Sequence, residues 1–149
     1  MGMWPQVSID LPPGYSLCFG CGRDNPVGLK MEFAPDGKGV KAVFSADTRY
    51  QGWPGYLHGG IVACLLDEAV SHAAATTGAR CVTARLNTRM KRLIPIDVPL
   101  AVTAHVTKKT RKVIECTAMV SMPDGTIAAE GSTTHFVINT RPQAGESGG

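Results

Sequence analysis

Two adjacent carboxylates, Asp67 and Glu68, interrupt the apolar run IVACLLDEAV at residues 61–70. Burying an unpaired carboxylate is costly, so acids kept in such a run have either a partner or a chemical task. Nine positions before Asp67 stands His58, followed by Gly59 and Gly60. If these three residues open a helix, their backbone N–H groups lack intrahelical acceptors and lie at the positive end of the helix dipole. Glycines there hold no side chain in the way of an approaching oxygen, as an oxyanion hole requires. Acting together, a carboxylate and such a donor would serve a reaction at a carbonyl. Standing alone, HGG reads equally as a glycine-rich turn into a helix. His58 has no sequence-near partner that marks it as a base, and is otherwise a hydrogen-bonding residue at the helix start.

The element that must position these groups is a helix over His58–Thr77. It contains no proline, helix formers dominate it, and Gly78 stands where a terminating glycine would. It is apolar nearly all round, so it is expected to be buried. On the helical wheel Asp67 shares a stripe with Gly60, Ala63, Cys64, Ser71 and Ala74, all small. Glu68 shares one with Ile61, Leu65 and His72. Small neighbours leave room for a ligand or a second helix, so the site is assigned to Asp67, and Glu68 to a pairing with His72 at i+4. Gly59 and Asp67 are eight residues apart, which separates them by about 12 Å along the axis and about 80° around it. One small reacting centre cannot touch both, so if both act on one carbonyl they come from different subunits. A two-fold homodimer with antiparallel helices would create two such sites.

Around the helix the chain reads as β-structure. Leu29, Met31 and Phe33 alternate as a first strand, PDGKG at 35–39 turns, and residues 40–46 return as a second strand. A loop at 47–57 precedes the helix, and four strands follow it at 81–93, 100–110, 113–122 and 126–138. Residues 1–27, rich in Pro and Gly, form an irregular lead-in, and 139–149 a disordered tail. The fold class is α+β, one domain over 28–138 in which a curved antiparallel sheet wraps one buried helix. At 149 residues and 44% hydrophobic content the chain can bury a real core. Charged residues are 18%, below the roughly 25% of a typical soluble domain, as expected if a partner subunit covers some surface. No apolar run is long enough for a bilayer span and the N-terminus lacks a leader pattern, so a soluble, cytoplasmic protein without membrane association is expected.

The net charge of +3 is too small to suggest a nucleic-acid partner. Nine of the fifteen basic residues nevertheless lie between Arg80 and Lys112, with Asp97 the one acid among them. That segment suits a phosphorylated ligand or, equally, solvated strand faces. Five cysteines are odd in number and read as reduced thiols. Cys18 and Cys21 form a C-x-x-C with no second pair of ligands after it, so no metal site is expected.

The segments YQGWPGYLHGGIVACLLDEA and TARLNTRMKRLIP, with the terminal hairpin and the lead-in CFGCGRDNPVGLKMEF, resemble hot-dog-fold acyl-CoA thioesterases of the PaaI-like group over about residues 15–138. The resemblance implies hydrolysis of an acyl-CoA thioester, with CoA entering only as part of the substrate and no cofactor. It places the catalytic carboxylate, as nucleophile or general base, on Asp67 and the carbonyl-polarising N–H on Gly59, with His58 and Gly60 beside it. A water-positioning hydroxyl falls on Ser71. CoA phosphates would meet Arg89, Lys91, Arg92, Lys108, Lys109 and Arg111. It also implies a homodimer, or a dimer of dimers. Several relatives carry Asn or Gln shortly before HGG, whereas the nearest amide here is Gln51, seven residues upstream. Tyr50, Trp53 and Tyr56 are candidates to line an acyl site. Two other readings compete: a hydratase or dehydratase pairing an Asp with a His, and a non-catalytic acyl-CoA-binding module.

Overall fold

The computed structural model describes residues 13–140; expectations for 1–12 and for the tail from 141 onward lie outside them. After a 3-10 turn at Tyr15–Leu17 come β1 (Ala34–Asp36), β2 (Gly39–Phe44), a second 3-10 turn at Thr48–Tyr50, α1 (Gly59–Ala75), β3 (Ala79–Met90), β4 (Leu100–Lys109), β5 (Val113–Ser121) and β6 (Ile127–Thr140). The strands form one antiparallel sheet in the order β1-β2-β4-β5-β6-β3. The helix lies on one face of the sheet, the α+β hot-dog arrangement expected. Its length reflects its composition: there is no internal proline, and three residues after Ala75 the chain turns away through Gly78 at φ 86°.

Period-two burial carries the sheet. Val40, Ala42 and Phe44 of β2, Leu100, Val102 and Ala104 of β4, and Ile114, Cys116, Ala118 and Val120 of β5 are buried against the helix. They meet Leu65, Leu66, Ala69, Val70 and Ala73 of α1, each at most 1% exposed. Truncating Leu65 to alanine leaves a hole that these rigid neighbours cannot fill, and is expected to cost about 2–5 kcal/mol in denaturant unfolding; a loss below about 1 kcal/mol would mean that this helix is not the centre of the core.

Two placements differ from the sequence expectation. Leu29, Met31 and Phe33 alternate in burial as predicted, yet the ladder begins only at Ala34. The Leu29 and Met31 N–H groups donate instead to the carbonyls of Phe19 (2.8 Å) and Gly20 (2.9 Å), and Lys30 takes a positive φ of 53°. The alternation therefore records packing under the helix, with the cysteine-bearing loop as pairing partner. At the other end β6 runs on to Thr140.

The two sheet edges are unlike. β1 is three residues long, too short to invite pairing. β3 is twelve residues long, paired on one side only, and exposed from Val82 to Arg85 and again from Asn87 to Met90. Among the described residues no helix is long and apolar enough to cross a membrane.

Candidate functional site

The HGG segment divides its tasks. His58 is the N-cap of α1, and its Nδ1 accepts the Gly60 N–H at 2.8 Å, which puts the ring proton on Nε2. A Cβ at position 60 would lie 3.1 Å from that ring, so glycine is what lets the imidazole fold back over the helix tip. His58 thus caps the helix. The Gly60 N–H is committed to it. That leaves Gly59, whose missing Cβ would meet nothing within 4 Å. Gly59 lines a cleft of about 430 Å³ together with Trp53, Tyr56, Leu57, Met90, Arg92, Leu93 and Ile94, among others. Of the three aromatics proposed for an acyl site, Trp53 and Tyr56 line this cleft. Tyr50 instead packs inward, with its hydroxyl 3.1 Å from the Val27 carbonyl. Gln51 borders a separate depression with Gly60 and Ile61, and its Oε1 accepts the Gly55 N–H at 3.0 Å.

Asp67 lies two turns along. Its Oδ1 accepts a hydrogen bond from Thr83 Oγ1 of β3 at 2.8 Å. Thr83 was not anticipated from sequence, since only the strand pairing brings it to the helix. The small-residue stripe faces this bare edge: Ala63, Cys64, Asp67 and Ser71 are half-buried and Gly60 is exposed, while Ala74 at the far end is fully buried. Glu68 points the other way. Its Oε2 lies 3.2 Å from His72 Nε2, and Phe33 stacks on that imidazole at 4.4 Å. The two acids thus lie in different surroundings, Asp67 against β3 and Glu68 against a buried imidazole.

Ser71 Oγ donates to the Asp67 backbone carbonyl at 2.8 Å, so toward a water it offers only its lone pairs. Near the carboxylate, burial holds the His135 imidazole below its usual range, with the charge of Asp67 opposing; its Nε2 is 2.9 Å from Thr133 Oγ1. Cys64 shares the stripe, but burial, then the charges of Glu68 and Asp67, push its thiol up to about 12. A thiol shifted that way is held protonated at neutral pH.

The basic residues fall into two groups. Arg92 lines the Gly59 cleft, Lys91 pairs with Glu130 at 3.2 Å, and Arg89 sits opposite Glu130 in the ladder. Lys108, Lys109 and Arg111 stand at the β4–β5 turn. Lys109 pairs with Ile114, Ile114 with His135, and His135 with Thr83. That row is the Asp67 end of the sheet, about 20 Å along the strands from Arg89. The chain therefore carries Gly59 near one basic group and Asp67 near the other.

A family model of the thioesterase superfamily matches residues 54–129. The acyl-coenzyme A thioesterase THEM5 of Homo sapiens is 38% identical over 65 residues, covering 44% of this chain and 26% of that protein. The Mus musculus THEM5 is 29% identical over 115 residues, covering 76% of this chain and 46% of that protein. The chain thus spans less than half the length of these curated relatives. Among solved structures, the thioesterase superfamily protein RHA08564 superposes with a TM-score of 0.74 at 28% identity, over 79% of this chain and 61% of its own. The smu.793 protein of Streptococcus mutans UA159, bound to acetyl CoA, superposes with a TM-score of 0.71 at 18% identity, over 75% and 91%. The PaaI protein of E. coli gives 0.71 at 16%, over 76% and 83%. The last two likenesses establish the shared fold.

Proposed function

Because the chain belongs to the thioesterase superfamily, we propose that it hydrolyses an acyl-CoA thioester at a site shared by two protomers. The observation that carries this reading is the placement of the two reactive groups. Gly59 and Asp67 sit on one helix about 12 Å apart along its axis, Gly59 lining a cleft and Asp67 half-buried, and the Asp67 end adjoins the unpaired β3 edge. Edge-to-edge pairing of two β3 strands about a two-fold axis satisfies a long row of free backbone groups. It also sets the Asp67 end of one protomer beside the Gly59 end of the other. The two halves of the basic segment meet in the same operation, Arg89, Lys91 and Arg92 from one chain and Lys108, Lys109 and Arg111 from its partner, around the phosphates of one CoA.

In this site the thioester carbonyl accepts the Gly59 N–H. The Asp67 carboxylate attacks the acyl carbon or deprotonates the water that does, with Ser71 Oγ as an acceptor for that water. The C–S bond breaks and the thiolate of CoA takes up a proton; where water attacked, the acyl group is then the free acid, and where Asp67 attacked, water cleaves the acyl–Asp67 anhydride to the free acid and the regenerated carboxylate. Thioesters are activated enough for this pair of groups to suffice. The capping role of His58 weighs against a hydratase, which would need that imidazole beside the acid. Val43, Val82, Met119 and Phe136, exposed on the outer sheet face, give dimers a surface for pairing into a tetramer. The five free thiols suit a reducing compartment such as the cytoplasm.

The test is release of free CoA from short, long and aryl acyl-CoAs at catalytic protein concentration. Multiple turnovers are expected with at least one acyl class, the exposed aromatic rim of Trp53 and Tyr56 favouring a flat or medium-length group. Stoichiometric binding without release across the panel would replace the enzyme by a binding module.

A further inference from the structure

The C-x-x-C of the lead-in is not an isolated pair. The thiol sulfurs of Cys18 and Cys21 and a carboxylate oxygen of Glu68 all lie within 4.8 Å of one another. The loop is shaped to bring them there. A Cβ at Gly20 would sit 2.1 Å from Glu68 Oε1, and one at Gly22 would sit 2.3 Å from the Ser16 carbonyl and 2.4 Å from the Cys18 nitrogen. Position 20 must be glycine for the carboxylate to reach the thiols, and position 22 for the turn to close. The Gly22 N–H closes that turn on the Cys18 carbonyl at 2.8 Å, and the Leu29 and Met31 N–H groups pin Phe19 and Gly20 from the other side. Glu68 is fixed in turn: its second oxygen is held by His72, itself fully buried under Phe33. Tyr15 Oη stands 3.8 Å from Cys21 Sγ.

We propose that Cys18, Cys21 and Glu68 are ligands of a divalent metal ion, with Zn²⁺ the best-suited species, which fastens the lead-in loop to the central helix. Two thiolates and a carboxylate supply three of the four ligands of tetrahedral zinc, a water the fourth, and tetrahedral Zn–S bonds place two sulfurs about 3.8 Å apart, compatible with ligand atoms that lie within 4.8 Å of one another. His72 then acts as the outer partner that orients a ligating carboxylate. The grouping also makes electrostatic sense with a cation: two thiols, a carboxylate and a phenol are gathered in a largely buried pocket, an arrangement that a positive ion would compensate. Sequence spacing missed it because the third ligand comes from the helix, next to Asp67. The ion would hold the helix at the residue adjoining the proposed catalytic acid, and would be structural.

The experiment is Co²⁺ and Zn²⁺ binding to the reduced full-length protein, followed by spectroscopy and thermal unfolding. One equivalent of Co²⁺ is expected to give intense visible bands of a tetrahedral site and a near-ultraviolet thiolate-to-cobalt band, both displaced by Zn²⁺. Zinc addition should raise Tm, and chelation should reverse the rise. Cys18→Ser and Glu68→Gln should each weaken Zn²⁺ binding by no less than the 10–100-fold that loss of an outer partner typically costs. If the serine variant does not fold, the cobalt spectrum of the unaltered protein decides alone. Absence of thiolate–cobalt absorption in fully reduced protein, or a Tm indifferent to zinc, would overturn the proposal. So would a Cys18–Cys21 disulfide that persists under mild reductant, seen as a mass lower by a pair of hydrogens.

Discussion

Replacing Asp67 by asparagine is expected to lower kcat for acyl-CoA hydrolysis by about 10²–10⁴-fold, the range for losing a positioned general base. The substitution is mild for the fold. Asparagine keeps an oxygen where Thr83 Oγ1 donates at 2.8 Å, and the surrounding stripe of Ala63, Cys64 and Ser71 is too small to clash. Circular dichroism and the elution volume of the assembly should be unchanged. What is lost is the negative charge and the basic oxygen, so the defect should lie in kcat with KM nearly retained. A variant within a few fold of the parent would remove Asp67 from the chemistry.

Proline at position 59 is expected to reduce kcat by about 10²–10³-fold, as deletion of one oxyanion donor does. Position 59 is the first residue of α1, where proline is favoured and its missing N–H breaks no helical bond. The preceding residue must then be extended, and His58 already is, at φ −64° and ψ 135°. A Cβ there would meet nothing within 4 Å. Helix content and thermal stability should therefore hold while the donor disappears. Alanine at the same position keeps the donor, so its loss should be far smaller; equal losses would mean that bulk in the cleft, and not the N–H, is what matters.

How far the sequence could be read depended on whether a feature is local. The helix was legible because its signals are local: a proline-free run, HGG at one end, Gly78 at the other. So was the orientation of the acids, since the wheel separates Asp67 from Glu68 and places His72 one turn from the latter. The first strand was misplaced because Leu29, Met31 and Phe33 have the burial rhythm of a strand while their N–H groups bond to the cysteine loop. Period two reports which side chains are buried, and says nothing of what the backbone pairs with. The Thr83 contact and the separation of Arg89 from Lys109 depend on sheet order and register. Neighbours there are tens of residues apart in sequence, so no local pattern encodes them. The bare β3 edge was hidden for the same reason: RCVTARLNTRM looks like any half-exposed strand until its position in the sheet is known.

The most direct test of a shared site uses the two weakened chains together. Asp67→Asn and Gly59→Pro subunits, co-expressed with different tags and purified as heterodimers, carry one site in which the intact Asp67 of one chain faces the intact Gly59 of the other. The second site has neither. Such a heterodimer should recover about half of the parental activity, one site of two, while each homodimer stays low. A correctly folded heterodimer as inactive as its parents, or an isolated protomer turning over acyl-CoA at the full rate, would show that Gly59 and Asp67 do not meet across a subunit boundary.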